Sequence, residues 1–82
     1  MDKKTQIKIM ELSFTIMEKI LTEKKYTSKE EVMSVVKNAI IIAEKNDQLP
    51  TEIKMAYTEA YEKLNSLTWD EMEEIRKIID ED

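Results

Sequence analysis

The chain has 82 residues, of which 38% are charged and 41% hydrophobic, and it contains neither cysteine nor histidine. This length limits it to one domain, its apolar content excludes a disordered tail, and the missing cysteine excludes a disulfide. No apolar run approaches the roughly 18 residues of a membrane span and no signal peptide is recognisable, so we expect a cytoplasmic protein without membrane insertion.

The first predicted helix, at about residues 5–24, has an apolar band about 200° wide. One stripe has the spacing of a single helix face: Ile7, Met10, Phe14, Met17 and Leu21. A second stripe, about 130° away, consists of Ile9, Leu12, Ile16 and Ile20. Two interpretations are open. Either the helix is the centre of a bundle, or the first stripe packs inside its own chain and the second contacts another chain.

Capping patterns mark the starts of further helices, at about residues 28–46, 50–65 and 68–80. Ser28 with Glu31, and Thr68 with Glu71, have the hydroxyl–carboxylate spacing of a capping box, and Thr27 with Glu30 is an alternative register of the first. Pro50 suits the first turn of a helix because that position needs no backbone N–H group.

Apolar residues repeat with helical spacing in all three of these segments, and glycine, which tight turns and sheets often need, is absent. The predicted buried faces include Ile42 in the second helix and Ile78 in the fourth, whereas Ile41 and Met55 lie off those faces. We therefore predict one all-α domain over residues 1–82, a small and mostly antiparallel four-helix bundle with helix 1 central. Phe14 lies in the middle of the first stripe, so we predict that Phe14→Ala lowers the free energy of unfolding by about 3–5 kcal/mol.

Most catalytic side chains are missing. Without histidine or cysteine, no usual base is available to Ser13, Ser28, Ser34 or Ser66, and no thiol nucleophile exists. Asp70, Glu71 and Glu74 could meet a calcium ion, but they lack the loop of such sites, and a solvated helix start explains them better. We predict that the chain is not an enzyme and holds no cofactor or metal.

The formal net charge of −5 is unevenly distributed. Residues 1–41 carry eight basic and six acidic side chains, and residues 42–82 carry five and twelve. Because phosphate binding needs a cluster of lysine and arginine, we predict no direct binding to nucleic acid. The acidic half is either a solvated face or a surface that meets a basic partner protein. Small acidic helical proteins of phage and plasmid origin that inhibit nucleic-acid enzymes have similar bulk properties.

The predicted function is that of a non-enzymatic regulator or inhibitor that binds a partner protein through an acidic and apolar helical surface. The candidate partner-binding residues are Ile9, Leu12, Ile16, Ile20, Ile41, Met55, Asp70, Glu73 and Glu74. If the second stripe of helix 1 is not covered within the chain, pairing with a second copy gives a homodimer through helix 1. A structural subunit of a phage or conjugation assembly is an alternative from a different class.

Residues 31–64 carry a further pattern. A Val/Ile-rich helix ends in Ala43-Glu44-Lys45-Asn46, and Leu49-Pro50 then starts a helix that contains tyrosine. This pattern resembles bacteriocin immunity proteins of the enterocin A type and covers less than half of the chain. The resemblance implies an antiparallel four-helix bundle and a protective, immunity-type function.

Overall fold

A computed structural model of the chain describes residues 2–81, which form four α-helices and no strand. The helices are α1 (Lys3–Glu23), α2 (Lys29–Lys45), α3 (Thr51–Asn65) and α4 (Trp69–Glu81). The all-α bundle of four helices is confirmed, and each observed limit lies within two residues of the predicted one. Met1 and Asp82, which the predicted domain includes, lie outside the described residues.

None of these four helices is both long enough and apolar enough to span a membrane.

Asp2 caps the start of α1, so the helix begins at Lys3, two residues before the predicted limit. The Oδ1 atom of Asp2 accepts a hydrogen bond of 2.7 Å from the backbone N–H of Thr5. This bond satisfies one of the backbone donors that a helix start leaves free, and it lowers the pKa of the Asp2 carboxyl.

The start of α4 is a reciprocal capping box, as predicted. The backbone N–H of Glu71 donates to Thr68 Oγ1 at 3.1 Å, and the backbone N–H of Thr68 donates to Glu71 Oε1 at 2.9 Å. Two free donors are therefore satisfied at once. The hydrogen bond from the Thr68 N–H group favours the ionised form and so lowers the pKa of Glu71.

The start of α2 uses Ser28, not the alternative Thr27, as its cap. Ser28 Oγ accepts from the backbone N–H of Glu31 at 3.2 Å. The Glu31 carboxylate reaches one residue further back than in a capping box, and its Oε2 atom accepts from Thr27 Oγ1 at 2.8 Å and from the Thr27 N–H at 3.2 Å. The hydroxyl bond is the main cause of the lowered pKa of Glu31, and Lys24, 3.3 Å from Oε1, adds to it.

The hydrophobic core is concentrated at one end of the bundle. It joins the carboxyl-terminal halves of α1 and α3 to the amino-terminal halves of α2 and α4. Its buried members are Met17, Ile20, Leu21, Tyr26, Val32, Val36, Ala60, Leu64 and Met72. Ile9, Ala43 and Ala56 are also buried but lie outside this cluster. The opposite end of the bundle therefore rests on smaller and separate apolar contacts.

Helix α1 makes its most extensive contact with α3, and α3 also packs extensively against α2. Both α1 and α3 have small side chains that are fully buried: Ser13 on α1, and Ala56 and Ala60 on α3. Small residues let helix axes approach closely. The Ser13 hydroxyl is satisfied within α1, because it donates to the carbonyl oxygen of Met10 at 2.6 Å.

The predicted orientation of α1 is wrong over its first half. Ile7, Met10 and Phe14, expected in the core, are exposed at 53%, 46% and 51%. The buried arc is centred instead on the line of Ile9, Ser13 and Ile20. The first stripe is covered only at Met17 and Leu21, where Tyr26 and the start of α4 complete the core.

Two other predicted core residues are also at the surface. Ile42 of α2 is exposed at 68% and Ile78 of α4 at 59%. In α2 the buried residues are Val32, Val36 and Ala43. Ile42 precedes Ala43 by one residue and therefore lies about 100° from it around the helix. Ile41 is exposed, as predicted.

Two truncations measure how deeply α1 and α3 are buried. Phe14→Ala should cost about 1 kcal/mol or less, because half of the ring is already in water, and this replaces the larger value predicted from the stripe. Leu64→Ala should cost about 2–5 kcal/mol, because Leu64 is fully buried. Urea unfolding followed by circular dichroism measures both, and equal losses would contradict this placement of Phe14.

Removal of the α4 cap should destabilise the chain. Thr68→Ala leaves the N–H of Glu71 without its acceptor and should cost about 1 kcal/mol. Thr15→Ala is the matched control, since Thr15 is an exposed residue within α1. Thermal unfolding should show a lower midpoint for Thr68→Ala alone, and identical midpoints would argue against the capping box.

Acid should weaken the starts of α2 and α4. The pKa values of Glu31 and Glu71 are lowered in the folded chain, so their stabilising effect is present above the unfolded value near 4.5 and is lost as the pH falls through the folded values. We expect the unfolding midpoint to fall between about pH 5 and pH 3. The fall should be smaller in the double variant Glu31→Gln/Glu71→Gln than in Glu44→Gln, which alters an exposed carboxylate outside the caps.

Candidate functional site

An open groove runs between α1 and α3 on the side away from the main core. It has a volume of about 630 Å³ and is lined by Gln6, Ile9, Met10, Met55, Thr58, Glu59 and Glu62. Ile9 is buried there, whereas Met10 and Met55 are exposed. The groove therefore presents apolar side chains of both helices to solvent.

Ile7 and Phe14 extend this apolar surface along α1. They lie three residues before and four residues after Met10, so all three share one side of the helix. We call the groove-lining residues together with Ile7 and Phe14 the groove face. Among residues 2–81, seven large apolar side chains are exposed; four of them belong to the groove face, and the others are Ile41, Ile42 and Ile78.

The charged residues that line the groove are both acidic, Glu59 and Glu62 of α3. Glu59 Oε1 lies 3.6 Å from Lys63 Nζ, one helical turn away, whereas Glu59 Oε2 is buried and has no hydrogen-bond partner among the described residues. Leaving a buried acceptor unpaired is unfavourable. With Glu62, which is exposed, Glu59 gives the α3 wall of the groove a negative charge that attracts positive charge from outside the chain.

Lys63 links the acidic and apolar parts of the groove face. Its ammonium nitrogen lies 5.4 Å from the centroid of the Phe14 ring, within the range of a cation–π contact. Because it also faces Glu59, Lys63 is already engaged by groups of its own chain. It holds the exposed ring of Phe14 beside α3.

The structure brings two of the nine predicted partner-binding residues to this groove, Ile9 and Met55. The expectation that the second stripe of α1 faces outward is wrong for Ile9 and Ile20, which are buried, and Leu12 and Ile16 are half-buried.

The remaining predicted residues lie on other helices. Ile41 is exposed on α2, Asp70 and Glu74 are exposed on α4, and Glu73 of α4 is half-buried. None of them lines the groove. Binding of a partner by any of the nine stays a prediction.

Sequence reasoning missed most of the groove face. The first stripe of α1 predicts that Ile7, Met10 and Phe14 lie in the core, and no sequence pattern marks Glu59 or Glu62. The signal that could have found the face is Ser13, together with Ala56 and Ala60, because a small residue on each helix marks where two helices approach. Centring α1 on Ser13 turns Phe14 outward.

The other depressions suit a binding role less well. A space of about 10 Å³ beside Trp69 and Met72 is too small for a ligand group. A groove of about 460 Å³ between α2 and α3 contains none of the exposed large apolar side chains, since its apolar members Met33 and Tyr61 are half-buried. Within residues 2–81 no group of three or more acidic side chains is arranged to hold a metal ion.

Comparisons of the chain with protein-family models, with curated proteins and with solved structures give no match. The similarity of residues 31–64 to immunity proteins of the enterocin A type stays a resemblance in pattern.

Proposed function

We propose that the chain is a non-enzymatic regulator or inhibitor that binds a partner protein through the groove face. The observation that carries the proposal is the row of exposed apolar side chains along the groove: Ile7, Met10, Phe14 and Met55, each between 38% and 53% exposed. Single exposed apolar residues are common, but a contiguous row along a groove is typical of an interaction surface.

The size of this row supports the same proposal. Summed over the four side chains, the exposed area is on the order of 350 Å², a patch size that is often functional on a small monomer. Methionine and phenylalanine are also enriched where proteins bind each other, because they offer large and adaptable contact area. The chain has only 82 residues, of which 38% are charged, so few of its own apolar side chains are available to cover this patch. A partner protein that covers it is the simplest explanation for the exposed row.

The charge of the groove face bears on the kind of partner. Both charged lining residues are carboxylates, and the whole chain carries a net charge of −5. A partner with a basic surface is therefore attracted, and an acidic one is repelled. Ile41 and the α4 acids Asp70, Glu73 and Glu74 stay proposed contacts for a partner that extends beyond the groove.

We further propose that the bundle is mostly antiparallel with helix 1 central. The Nζ atom of Lys29, at the start of α2, donates to the carbonyl oxygen of Asn65, at the end of α3, at 2.7 Å, as neighbours of opposite direction would. Helix α1 contacts each of the other three helices. The proposed cytoplasmic location rests on the absence of cysteine, which suits a reducing compartment.

A homodimer through helix 1 is a second candidate, because the exposed stripe of α1 is equally open to a second copy. Its surface has to be Ile7, Met10 and Phe14, since Ile9 and Ile20 are buried. The immunity-type protector is a version of the same binding role, whereas the assembly subunit belongs to a different, structural class, and the identity of the partner distinguishes them.

Two charged substitutions at exposed positions test the proposed function. Met10→Glu places a charge in the groove face, and Ile42→Glu places the same charge on α2, where the side chain is even more exposed. Both should change the stability by no more than about 0.5 kcal/mol, because neither residue is in the core. In affinity pull-downs from the native host, quantified by mass spectrometry, Met10→Glu should lose a protein that wild type and Ile42→Glu retain.

Equal capture by wild type and both variants would contradict binding through the groove face. Circular dichroism of each variant shows that the helices are intact, so a loss of capture cannot be assigned to unfolding.

A further inference from the structure

We propose that the groove is occupied by an amphipathic α-helix of the partner protein, with lysine or arginine on the side that meets α3. This inference rests on the proposed function and adds the shape and charge of the bound segment. It commits to a basic helical segment of another protein, and not to a second copy of this chain.

The backbone chemistry of the groove favours a helical ligand. Helices α1 and α3 use their own N–H and C=O groups internally, so the walls of the groove offer no ladder of backbone partners. An extended peptide pressed into this apolar surface would leave its backbone groups unpaired. A helix pairs its own backbone and presents only side chains, as in other helix-in-groove complexes.

The layout of the groove fits about two to three turns of such a helix. Gln6 and Met10 share the groove with Met55 and Glu62, and Phe14 lies against Lys63, so the groove follows the two helices lengthwise. From Ile7 to Phe14 the rise along α1 is about 10 Å. A bound helix with apolar residues at positions i, i+3 or i+4, and i+7 would match this row.

The charge of the lining favours a basic ligand. Glu59 and Glu62 face the groove without a lysine or arginine among the lining residues. Lys63 carries one positive charge and pairs with Glu59, so it cannot neutralise the two carboxylates together. A cationic side chain of the ligand would supply the missing charge on the α3 side of the groove.

The same charges disfavour a second copy. In a two-fold dimer each copy would place its own Glu59 and Glu62 at the shared surface, and both copies carry a net charge of −5. Like charges brought together at an interface select against that pairing. The apolar row alone would permit a homodimer, but the carboxylates beside it oppose one.

Three synthetic peptides test the inference. Each has about 16 residues and a fluorescent label. The basic peptide has leucine at helical i, i+3, i+4 and i+7 spacing with lysine on the flanks. The acidic peptide has glutamate in place of lysine, and the scrambled peptide has the basic composition without the spacing. In fluorescence anisotropy titrations with the full chain, the basic peptide should bind saturably and about tenfold more tightly than either control.

Matched variants locate the binding. Glu62→Lys should weaken the basic peptide roughly three- to tenfold, whereas Glu44→Lys, the same change at an exposed site on α2, should leave its affinity within about twofold. Met10→Glu should abolish saturable binding. Raising the salt concentration should weaken the basic peptide, because exposed charge pairs are screened.

The inference is overturned if the acidic or scrambled peptide binds as tightly as the basic one, or if Glu62→Lys and Glu44→Lys have equal effects. It is also overturned if sedimentation shows the chain alone above its monomer mass of 9.7 kDa and Met10→Glu restores the monomer, since the occupant is then a second copy. If any of these results is obtained but Met10→Glu still loses the protein captured from the host, the helical ligand is ruled out and the proposed function remains supported. Host capture that is independent of Met10 contradicts the proposed function itself.

Discussion

The contact between α1 and α3 governs the arrangement of the remaining chain. Both helices bury small side chains completely, Ser13 on α1 with Ala56 and Ala60 on α3, and small residues allow a close approach. With Ser13 in the buried arc, Met10 and Phe14 lie between about 60° and 100° further round α1, at the edge of the contact. The groove face follows from this rotation.

The length of α4 determines where the apolar band of α1 is covered. With 13 residues against the 21 of α1, α4 can accompany only part of its neighbour. Its buried Met72 joins Leu21 and Tyr26 in the core cluster, while Ile7, Met10 and Phe14 stay uncovered. One continuous stripe thus has a structural half and an accessible half, and the accessible half borders the acidic lining of α3.

The local parts of the fold were predictable because they depend on neighbours in sequence. Caps such as Thr68 with Glu71 and the limits of the helices follow from spacing alone. Spacing and apolarity alone do not decide between the two stripes of α1, because both stripes have helical spacing and similar apolarity. Ser13, with Ala56 and Ala60 on α3, is the sequence feature that marks the buried side. That choice depends on which helix packs against α1 and how far it reaches. Met55 was recognised because it lies off its helix face, whereas Glu59 joins the groove only through the pairing of α1 with α3.

The concentration of the core at one end has a consequence for the dynamics of the chain. Amide hydrogens near Met17, Leu64 and Met72 are held by the main cluster, and they exchange with solvent only when most of the fold opens. The first half of α1 has Ile9 and Ser13 as its buried residues, outside the main cluster, so we expect it to open more readily and its amides to exchange earlier. A ligand of the proposed kind would close this end, and part of its binding free energy would then order a segment that has few large neighbours in the free chain.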